Sequence, residues 1–430
     1  MNSNQFGPVP NYHRIKESVI ENLVVYWPNE KLKNSICSLP VAHILIENIE
    51  LPLKLVEIEM PKWASQASVN QKMLVPQECV NKSNAWEDVD WFMAAFLMLE
   101  SVHERKWEHL YGSINSYSFR LEDWDSRIWD YAWVNRIAIF LVNWAQQINS
   151  FSYTIPKSKI FMTHDIDALE RNMLTILKRS GFLIFNFLFF PSSRRTIQLA
   201  RLRNLLVERG TWNHFREITE IEKKANIKSI FFAYSHDKHR YCRQQIIDPV
   251  YTVAELKASG IFDLLKNSNF QIGIHSSSCI KNHLSHDIEI LSNHLNQKVD
   301  KNRNHWLRFS WSSTWEYLQE AGISEDSTLM FNDRPGFRNS SAISWKPWNW
   351  NRNEFFQISA VSTVLMDSHY YDYANNFHAT TLSMEHIINE IAFVGGYAYV
   401  LWHPHTLGEA FGWRDGFMRL CKLIANSQRN

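Results

Sequence analysis

The sequence predicts an α/β protein: a parallel sheet covered by helices, preceded by a smaller N-terminal α+β domain. From residue 159 onward, short apolar runs alternate with stretches of helical periodicity. Such alternation is typical of a parallel sheet, either open or closed as a barrel. The chain has 430 residues, more than one domain usually needs. We place the boundary in a polar stretch, so that residues 1–150 form the N-terminal domain and residues 151–430 the larger one.

The N-terminal part is expected to combine short strands with two helices. Runs rich in Val, Ile and Leu predict strands over residues 22–27, 43–49 and 53–60. Apolar residues at helical spacing predict helices over residues 90–105 and 134–148.

In the larger domain, seven apolar runs predict seven strands: residues 159–163, 229–234, 270–274, 306–309, 327–331, 355–360 and 397–402. Between them, five stretches predict helices: residues 212–225, 253–265, 285–295, 313–321 and 383–393. In folds of this kind the functional residues lie beyond the carboxyl ends of the strands. Those ends are therefore the place to look for chemistry.

Composition excludes several function classes. The formal net charge is +1 at pH 7, too small to attract nucleic acid or an anionic membrane through the field of the whole protein. Five scattered cysteines without a CxxC pair argue against a disulfide framework or a structural zinc finger. The first sixteen residues lack the apolar core of a signal peptide, so we expect a cytoplasmic protein. The 18 tryptophans fit a large core or sugar-stacking platforms.

Acidic residues and histidines follow several of the predicted strands. Asp165 and Asp167 come after the first strand, His275 after the third and His403 after the last. Two carboxylates this close repel each other, so they share a proton or a cation unless they belong to a solvated turn or a helix cap. Because the carboxyl ends of parallel strands meet on one face, we expect these side chains to converge on one site.

Six segments occur in an order that resembles a known family: residues 163–167 (Thr-His-Asp-Ile-Asp), 273–277, 303–309, 322–328, 336–338 and 401–403. From residue 159 onward the chain is similar to the NodB-homology polysaccharide deacetylases, carbohydrate esterase family 4, in the subgroup whose first motif reads Thr-His-Asp-x-Asp. The resemblance implies a distorted (β/α)7 barrel of NodB type. It also implies metal-dependent removal of an acetyl group from an N-acetylated or O-acetylated sugar in cell-surface polysaccharide biosynthesis. The substrate would be a free, nucleotide-linked or lipid-linked N-acetyl sugar.

The resemblance further implies roles for individual residues. Asp165 matches the catalytic base, and His403 matches the acid that protonates the leaving amine. Asp167 and His275 match ligands of a divalent metal, for which zinc is the first expectation. Because Ile166 separates two aspartates that are adjacent in better-known members, the base and ligand roles of the pair can be exchanged. The remaining matches are Arg308 to orient the base, Asp326 to support it, and His164, Arg338 and Trp402 to contact the substrate.

The third metal ligand stays open. The family's second metal histidine would fall four residues after His275, where Cys279 stands, and a cysteine thiolate also binds zinc. His305, at a predicted strand end, is the alternative. A water molecule, His283 or His286 can also complete such a site.

Residues 181–190 form an apolar stretch flanked by Lys178, Arg179, Arg194 and Arg195. The stretch is too short to span a bilayer. It predicts either a peripheral membrane contact, which would bring the enzyme to a lipid-linked saccharide, or a segment packed over the barrel or between two copies of the chain.

Two other functions stay open beside deacetylation. The same machinery can hydrolyse another non-peptide C–N bond, such as that of a formamide or a small cyclic amide. A catalytically degenerate member would bind a saccharide without turnover. The departure at Cys279 favours degeneracy, whereas a retained base, acid and metal ligands oppose it.

Overall fold

The structure is a computed structural model. It describes residues 10–46, 48–81, 83–170, 173–189, 195–207, 212–236, 248–277, 283–372, 382–409 and 411–428. Cys279, a candidate for the third metal ligand, lies outside these ranges, as does residue 190 at the end of the apolar stretch.

The described residues form fifteen α-helices and thirteen strands, numbered in chain order. The helices are α1 (Tyr12–Asn22), α2 (Glu30–Cys37), α3 (Trp91–Leu99), α4 (Val102–Tyr111), α5 (Trp133–Ile148), α6 (Met173–Phe189), α7 (Arg195–Val207), α8 (Phe215–Lys224), α9 (Val253–Ala258), α10 (Ile261–Asn267), α11 (Leu284–Leu295), α12 (Thr314–Glu320), α13 (Asp367–Tyr371), α14 (Met384–Phe393) and α15 (Arg414–Ser427). The strands are β1 (Leu55–Glu59), β2 (Lys72–Pro76), β3 (Lys159–Ile166), β4 (Ser229–Ala233), β5 (Gln271–Ser276), β6 (Lys301–Asn304), β7 (Glu325–Asp326), β8 (Ser344–Trp345), β9 (Trp348–Asn349), β10 (Glu354–Phe355), β11 (Ser359–Val361), β12 (Thr363–Met366) and β13 (Tyr397–Leu401).

The N-terminal region is more helical than its β-branched residues suggest. The strand expected over residues 53–60 is present as β1, but those expected over residues 22–27 and 43–49 are wrong. Asn11 begins α1 by accepting a hydrogen bond from the Arg14 amide, and Asn29 begins α2 in the same way. These side-chain caps satisfy amides that a helix start leaves unpaired. Residues 24–26 form a 3-10 turn between the two helices and residues 43–46 are irregular, because single Val and Ile residues carry only a modest strand preference.

Nine strands form one curled sheet in the order β12-β13-β3-β4-β5-β6-β7-β11-β8. Neighbours pair in parallel except β8, which pairs antiparallel with β11. β11 and β12 follow each other directly in the chain, yet β11 pairs with β7 and β12 pairs with β13. The sheet therefore curls enough to bring β11 and β12, which lie near its opposite ends, close together, and this is consistent with the expected barrel.

Two strands of the barrel lie earlier in the chain than expected. Strands over residues 306–309 and 327–331 are wrong, since β6 and β7 end at Asn304 and Asp326. β6 consists of polar residues, three of which are buried: Asn302, Arg303 and Asn304. A buried strand made of polar side chains gives no apolar signal, so the pattern of apolar residues pointed to the segment after it.

Buried ion pairs join the N-terminal region to the barrel. Arg136 on α5 pairs with Glu390 on α14 through two hydrogen bonds of 2.8 and 2.6 Å. Arg338 pairs with Glu104 on α4 at 2.5 Å. We call these four residues the seam cluster. One continuous hydrophobic core also runs across residue 150, so the domain boundary expected there stays a prediction.

Candidate active site

β3 carries Asp165 into the mouth of the barrel, where Arg303 holds it. Arg303 reaches across the barrel interior from β6, and its Nη1 donates to Asp165 Oδ1 at 3.1 Å and to Thr163 Oγ1 at 2.7 Å. Its Nη2 donates to Thr363 Oγ1 at 3.1 Å. Both members of the Asp165–Arg303 pair are buried, and a buried charge of this kind persists only when it is paired and hydrogen-bonded.

The expectation that Arg308 orients the base is wrong in geometry. Arg308 is exposed, and its backbone carbonyl accepts a hydrogen bond from Asn304. The role of Arg308 came from the family resemblance. In the structure Arg303 lies on β6 and bonds Asp165, whereas Arg308 follows the short 3-10 turn after β6. Sequence reasoning had Arg303 within a matched segment and gave it no role.

Asp167, His275 and His305 come together next to Asp165. One ligand atom from each lies within 4.8 Å of the other two. Asp167 Oδ1 is 3.4 Å from His275 Nε2 and 3.8 Å from His305 Nε2. The two imidazoles come from the ends of β5 and β6, which are neighbouring strands. The convergence of strand-end residues thus holds for this trio.

Hydrogen bonds to Nδ1 fix both imidazoles with Nε2 toward Asp167. His275 Nδ1 bonds the Arg303 carbonyl at 3.0 Å, and His305 Nδ1 bonds Asp248 Oδ1 at 2.9 Å. Burial lowers the pKa of His275, but the Asp165 and Asp167 carboxylates outweigh it and raise the pKa. For His305 burial dominates and lowers the pKa, although Asp248 opposes it. A carboxylate or carbonyl behind each histidine is the usual support of a metal-binding imidazole.

The residues present fit a divalent metal. Asp167 Oδ1 is buried, and no described residue makes a hydrogen bond to it. Burial alone would raise the pKa of Asp167, yet the imidazoles of His275, His403 and His305 hold it well below its usual range. An ionised carboxylate oxygen facing two imidazole nitrogens is a donor set that suits zinc and similar cations.

His403 lies on the other side of Asp167 and is held by Asp367. His403 Nδ1 bonds Asp367 Oδ1 at 2.9 Å, and the His403 amide donates to the same carboxylate. His403 Nε2 is 3.7 Å from Asp167 Oδ2. Burial lowers the pKa of His403, but Asp367 outweighs it and raises the pKa to about 9. Asp367 thus favours the protonated form of the imidazole.

Asp367 and Asp248 are supporting residues that sequence reasoning missed. Asp367 directly follows the apolar residues of β12, so it carried the same strand-end signal as the other site residues. Asp248 carried no such signal, because it lies in an irregular segment rather than after a strand.

Two expected substrate residues face away from the mouth. His164 is fully buried, with Nδ1 bonded to the Trp402 carbonyl and Nε2 to Glu222, both at 2.7 Å. Trp402 is buried against Phe417 and Tyr371. Successive side chains of a strand point to opposite faces, so His164 enters the helix layer because Asp165 points into the barrel. Their assignment to the substrate is wrong.

Arg338 and Asp326 also lie outside the cluster. Arg338 belongs to the seam cluster, with further bonds to Ser116 and Met330, so its assignment to the substrate is wrong. Asp326 is buried and accepts hydrogen bonds from Asn302, Thr328 and Trp315. Among the described residues, the hydrogen bonds of the Asp326 carboxylate go to this network at the end of β7 and not to Asp165, so direct support of the base is not observed. His283 and His286 are exposed.

Searches against known families and curated proteins find no match, but several solved structures are similar to part of the chain. A protein from Mycobacterium smegmatis that has been assigned as a polysaccharide deacetylase is 17% identical, with 65% of this chain and 93% of that chain covered and a TM-score of 0.34. Puue allantoinase is 13% identical, with 62% and 84% covered and a TM-score of 0.35. A CE4 family pseudoenzyme from Bacillus anthracis is 11% identical, with 64% and 62% covered and a TM-score of 0.26. None of these likenesses assigns a function to this chain.

Proposed function

We propose that the chain is a metal-dependent hydrolase that removes an acetyl group from an N-acetylated or O-acetylated sugar. The observation that carries the proposal is the arrangement of five side chains, which we call the mouth cluster: Asp165, Asp167, His275, His305 and His403. It combines a metal-ligand trio with one carboxylate and one imidazole that have separate supporting partners. A binding module has no need of all three.

Asp167, His275 and His305 are the residues that would hold the cation. A bound divalent cation polarises an acyl carbonyl and lowers the pKa of a coordinated water molecule toward about 7. His305 is a better candidate than Cys279 for the third ligand, because its Nε2 faces Asp167 while Asp248 holds its Nδ1.

Asp165 is suited to act as the general base. Arg303 occupies its Oδ1, and its Oδ2 faces the cluster, 3.9 Å from His275 Nδ1. Because Arg303 bonds Oδ1, we propose that Oδ2 takes the proton of the attacking water molecule. We propose that the two aspartates have the roles that the resemblance implied, and the contacts of Asp167 with the imidazole Nε2 atoms support this.

His403 is suited to protonate the leaving nitrogen or oxygen. Asp367 holds Nδ1, so Nε2 is the nitrogen that faces the mouth, and the side chain is 17% exposed. A substrate can therefore reach it. General acid and base groups on opposite sides of the attacked carbonyl are the usual requirement for cleaving an amide or ester.

The sugar, the process and the compartment stay predictions. We propose a sugar substrate and a role in cell-surface polysaccharide biosynthesis because the six motif segments resemble the NodB-homology deacetylases.

The test is acetate release from nucleotide-linked and lipid-linked N-acetyl sugars, with chelator and with added zinc. We expect chelator to stop release and zinc to restore it. His305→Ala should lower zinc content and affinity at least about 10-fold, the effect usual even for a supporting residue, while His283→Ala, an exposed histidine nearby, should not. Cys279→Ser is compared in the same assay.

Several outcomes would contradict the proposal. Full zinc retention in His305→Ala together with loss in Cys279→Ser would move the third ligand to Cys279. Release of formate or opening of a cyclic amide, without acetate release, would favour the hydrolase of another C–N bond. Tight saccharide binding without turnover in the zinc-loaded protein would favour the degenerate member.

A further inference from the structure

The hairpin of α6 and α7 displays an unusual amount of exposed apolar surface. Among the described residues, sixteen large hydrophobic side chains are exposed, and seven of them lie on these two helices. The other nine are scattered singly or in pairs along the chain. Single exposed apolar residues are normal, whereas a contiguous patch marks an interaction surface.

On α6 the exposed residues form one narrow stripe. Met173, Leu177, Ile184 and Leu188 are 46% to 71% exposed. At about 100° per residue they fall within an arc of about 60°, and they extend along about 22 Å of the helix. A narrow apolar stripe along a whole helix is the pattern of a helix that lies in the plane of a membrane interface.

The adjoining helix α7 also carries exposed apolar residues and an exposed cation. Leu199, Leu206 and Val207 are exposed on α7. Arg203 is exposed and lies on the same side of the helix as Leu199 and Leu206. The sequences of α6 and α7 contain no Asp or Glu. Lys178 bonds the Asp248 carbonyl and Arg201 pairs with Asp372, so among the Lys and Arg side chains of these helices that the structure describes, Arg203 is the exposed one.

The opposite side of α6 rests on the active site. Lys178 donates to the backbone carbonyl of Asp248, whose carboxylate binds His305. Leu183 packs against Ala168, the residue that follows Asp167. At the same periodicity Lys178 and Leu183 lie roughly 110° from the middle of the stripe on either side. The hairpin thus turns its apolar stripe outward and its other face toward the mouth cluster.

We propose that this stripe docks on an anionic lipid bilayer and brings the mouth cluster to a saccharide carried on a membrane lipid. An anionic bilayer offers both an acyl region for the apolar side chains and negative headgroups for Arg203. The lipid-borne substrate rests on the proposed function, whereas the docking surface stands independently of it.

The first experiment measures docking alone. The full chain is sedimented with vesicles of equal parts phosphatidylcholine and phosphatidylglycerol, and with vesicles of pure phosphatidylcholine. We expect the wild type to bind the anionic vesicles more tightly. The variant Leu177→Gln/Ile184→Gln/Leu188→Gln should bind them at least about 10-fold more weakly, because membrane affinity scales with the apolar area that is buried.

The matched control replaces three exposed apolar residues elsewhere: Val24→Gln/Leu110→Gln/Met418→Gln. It should bind vesicles as the wild type does. Equal binding by the stripe variant, or absence of wild-type binding, would overturn the docking surface. The docking surface would also be overturned if the wild type is a dimer, the stripe variant is a monomer, and the two bind vesicles equally. A second copy of the chain would then be what covers the stripe.

The second experiment separates docking from chemistry. Acetate release is measured with a soluble nucleotide-linked N-acetyl sugar and with a lipid-linked one in anionic vesicles. We expect the stripe variant to keep wild-type turnover of the soluble substrate, which also shows that it folds, and to lose turnover of the lipid-linked one. Equal turnover of the lipid-linked substrate would overturn the lipid-borne substrate. Stripe-dependent vesicle binding without acetate release from any sugar would support the docking surface while refuting the proposed function.

Discussion

The mouth cluster and the seam cluster are both groups of buried charges, but they differ in how well those charges are satisfied. In the seam, Glu390 receives two hydrogen bonds from Arg136 and one from the Ala132 amide. In the mouth, three imidazole nitrogens surround Asp167 at 3.4, 3.8 and 3.7 Å, and Asp167 Oδ1 has no hydrogen bond from a described residue.

The difference separates a structural role from a chemical one. A buried charged group whose hydrogen bonds are all made has no free donor or acceptor for a ligand. Removing such a group leaves its charged partner unpaired in a low-dielectric interior. A buried carboxylate with an unmade bond has a free acceptor for a ligand. We therefore expect substitutions in the mouth to change activity and substitutions in the seam to change stability.

The largest effect is expected from the mouth. Asp165→Asn and His403→Ala should each lower kcat about 10²–10⁴-fold, the usual contribution of one acid or base. The comparison is made per folded molecule, because Asp165→Asn removes the counter-charge of the buried Arg303 and His403→Ala removes the partner of the buried Asp367. His294→Ala, which removes a histidine whose bond is to the Ile290 carbonyl of its own helix, serves as control. Near-normal kcat in both mouth variants would place the chemistry elsewhere.

The seam is expected to give the next largest effect. Arg136→Met should lower the free energy of unfolding by about 3–5 kcal/mol, because it leaves Glu390 buried without its partner. Adding Glu390→Leu should recover most of the loss. Urea unfolding of the two variants and the wild type measures this, and kcat per folded molecule should not change. A loss below about 1 kcal/mol, the level of a surface pair, would contradict the proposed structural role.

A comparison of Arg303 with Arg308 tests which arginine supports the mouth cluster. Arg303→Lys should lower kcat about 10–100-fold, the usual cost of losing a group that orients a catalytic or ligand residue. Lysine cannot reproduce the fork that binds Asp165, Thr163 and Thr363 together. Arg308→Lys should leave kcat unchanged. The measurement separates kcat from KM, and an effect of Arg308→Lys larger than that of Arg303→Lys would reverse the assignment.

The smallest effect concerns a buried histidine that is neutral and fully bonded. His369 accepts from the Met366 amide and donates to the Phe331 carbonyl, and burial lowers its pKa to about 4. The unfolded chain, with a histidine pKa of about 6.5, takes up this proton between pH 6.5 and 4. Stability should therefore be full above pH 6.5 and fall as the pH drops.

In His369→Gln the unfolded chain should take up one proton fewer over this pH range. The slope of the unfolding free energy against pH should then be smaller by up to about 1.4 kcal/mol per pH unit. Urea unfolding between pH 5 and 6.5 in the presence of chelator measures it, with His294→Gln as control. Identical slopes for wild type and His369→Gln would show that His369 does not titrate as expected.

Sequence alone predicted the alternation of strands and helices after residue 159. It also pointed to four of the five residues of the mouth cluster, because each of the four follows an apolar run that predicts a strand. Asp165, Asp167, His275 and His403 each follow such a run, and parallel strands bring their ends together whatever the details of packing. The alternation of side chains along β3 also held the information that His164 faces away from Asp165.

Only the tertiary structure decided which partners support those residues. Arg303 lies on a strand whose buried side chains are polar, so apolar periodicity could not locate it, and the resemblance assigned the role to Arg308 instead. Asp248 reaches His305 across 57 residues of sequence, a contact that no local pattern encodes. Buried polar partners are chosen by which side chains the closed barrel brings within hydrogen-bond distance, and that depends on the register of every strand between them.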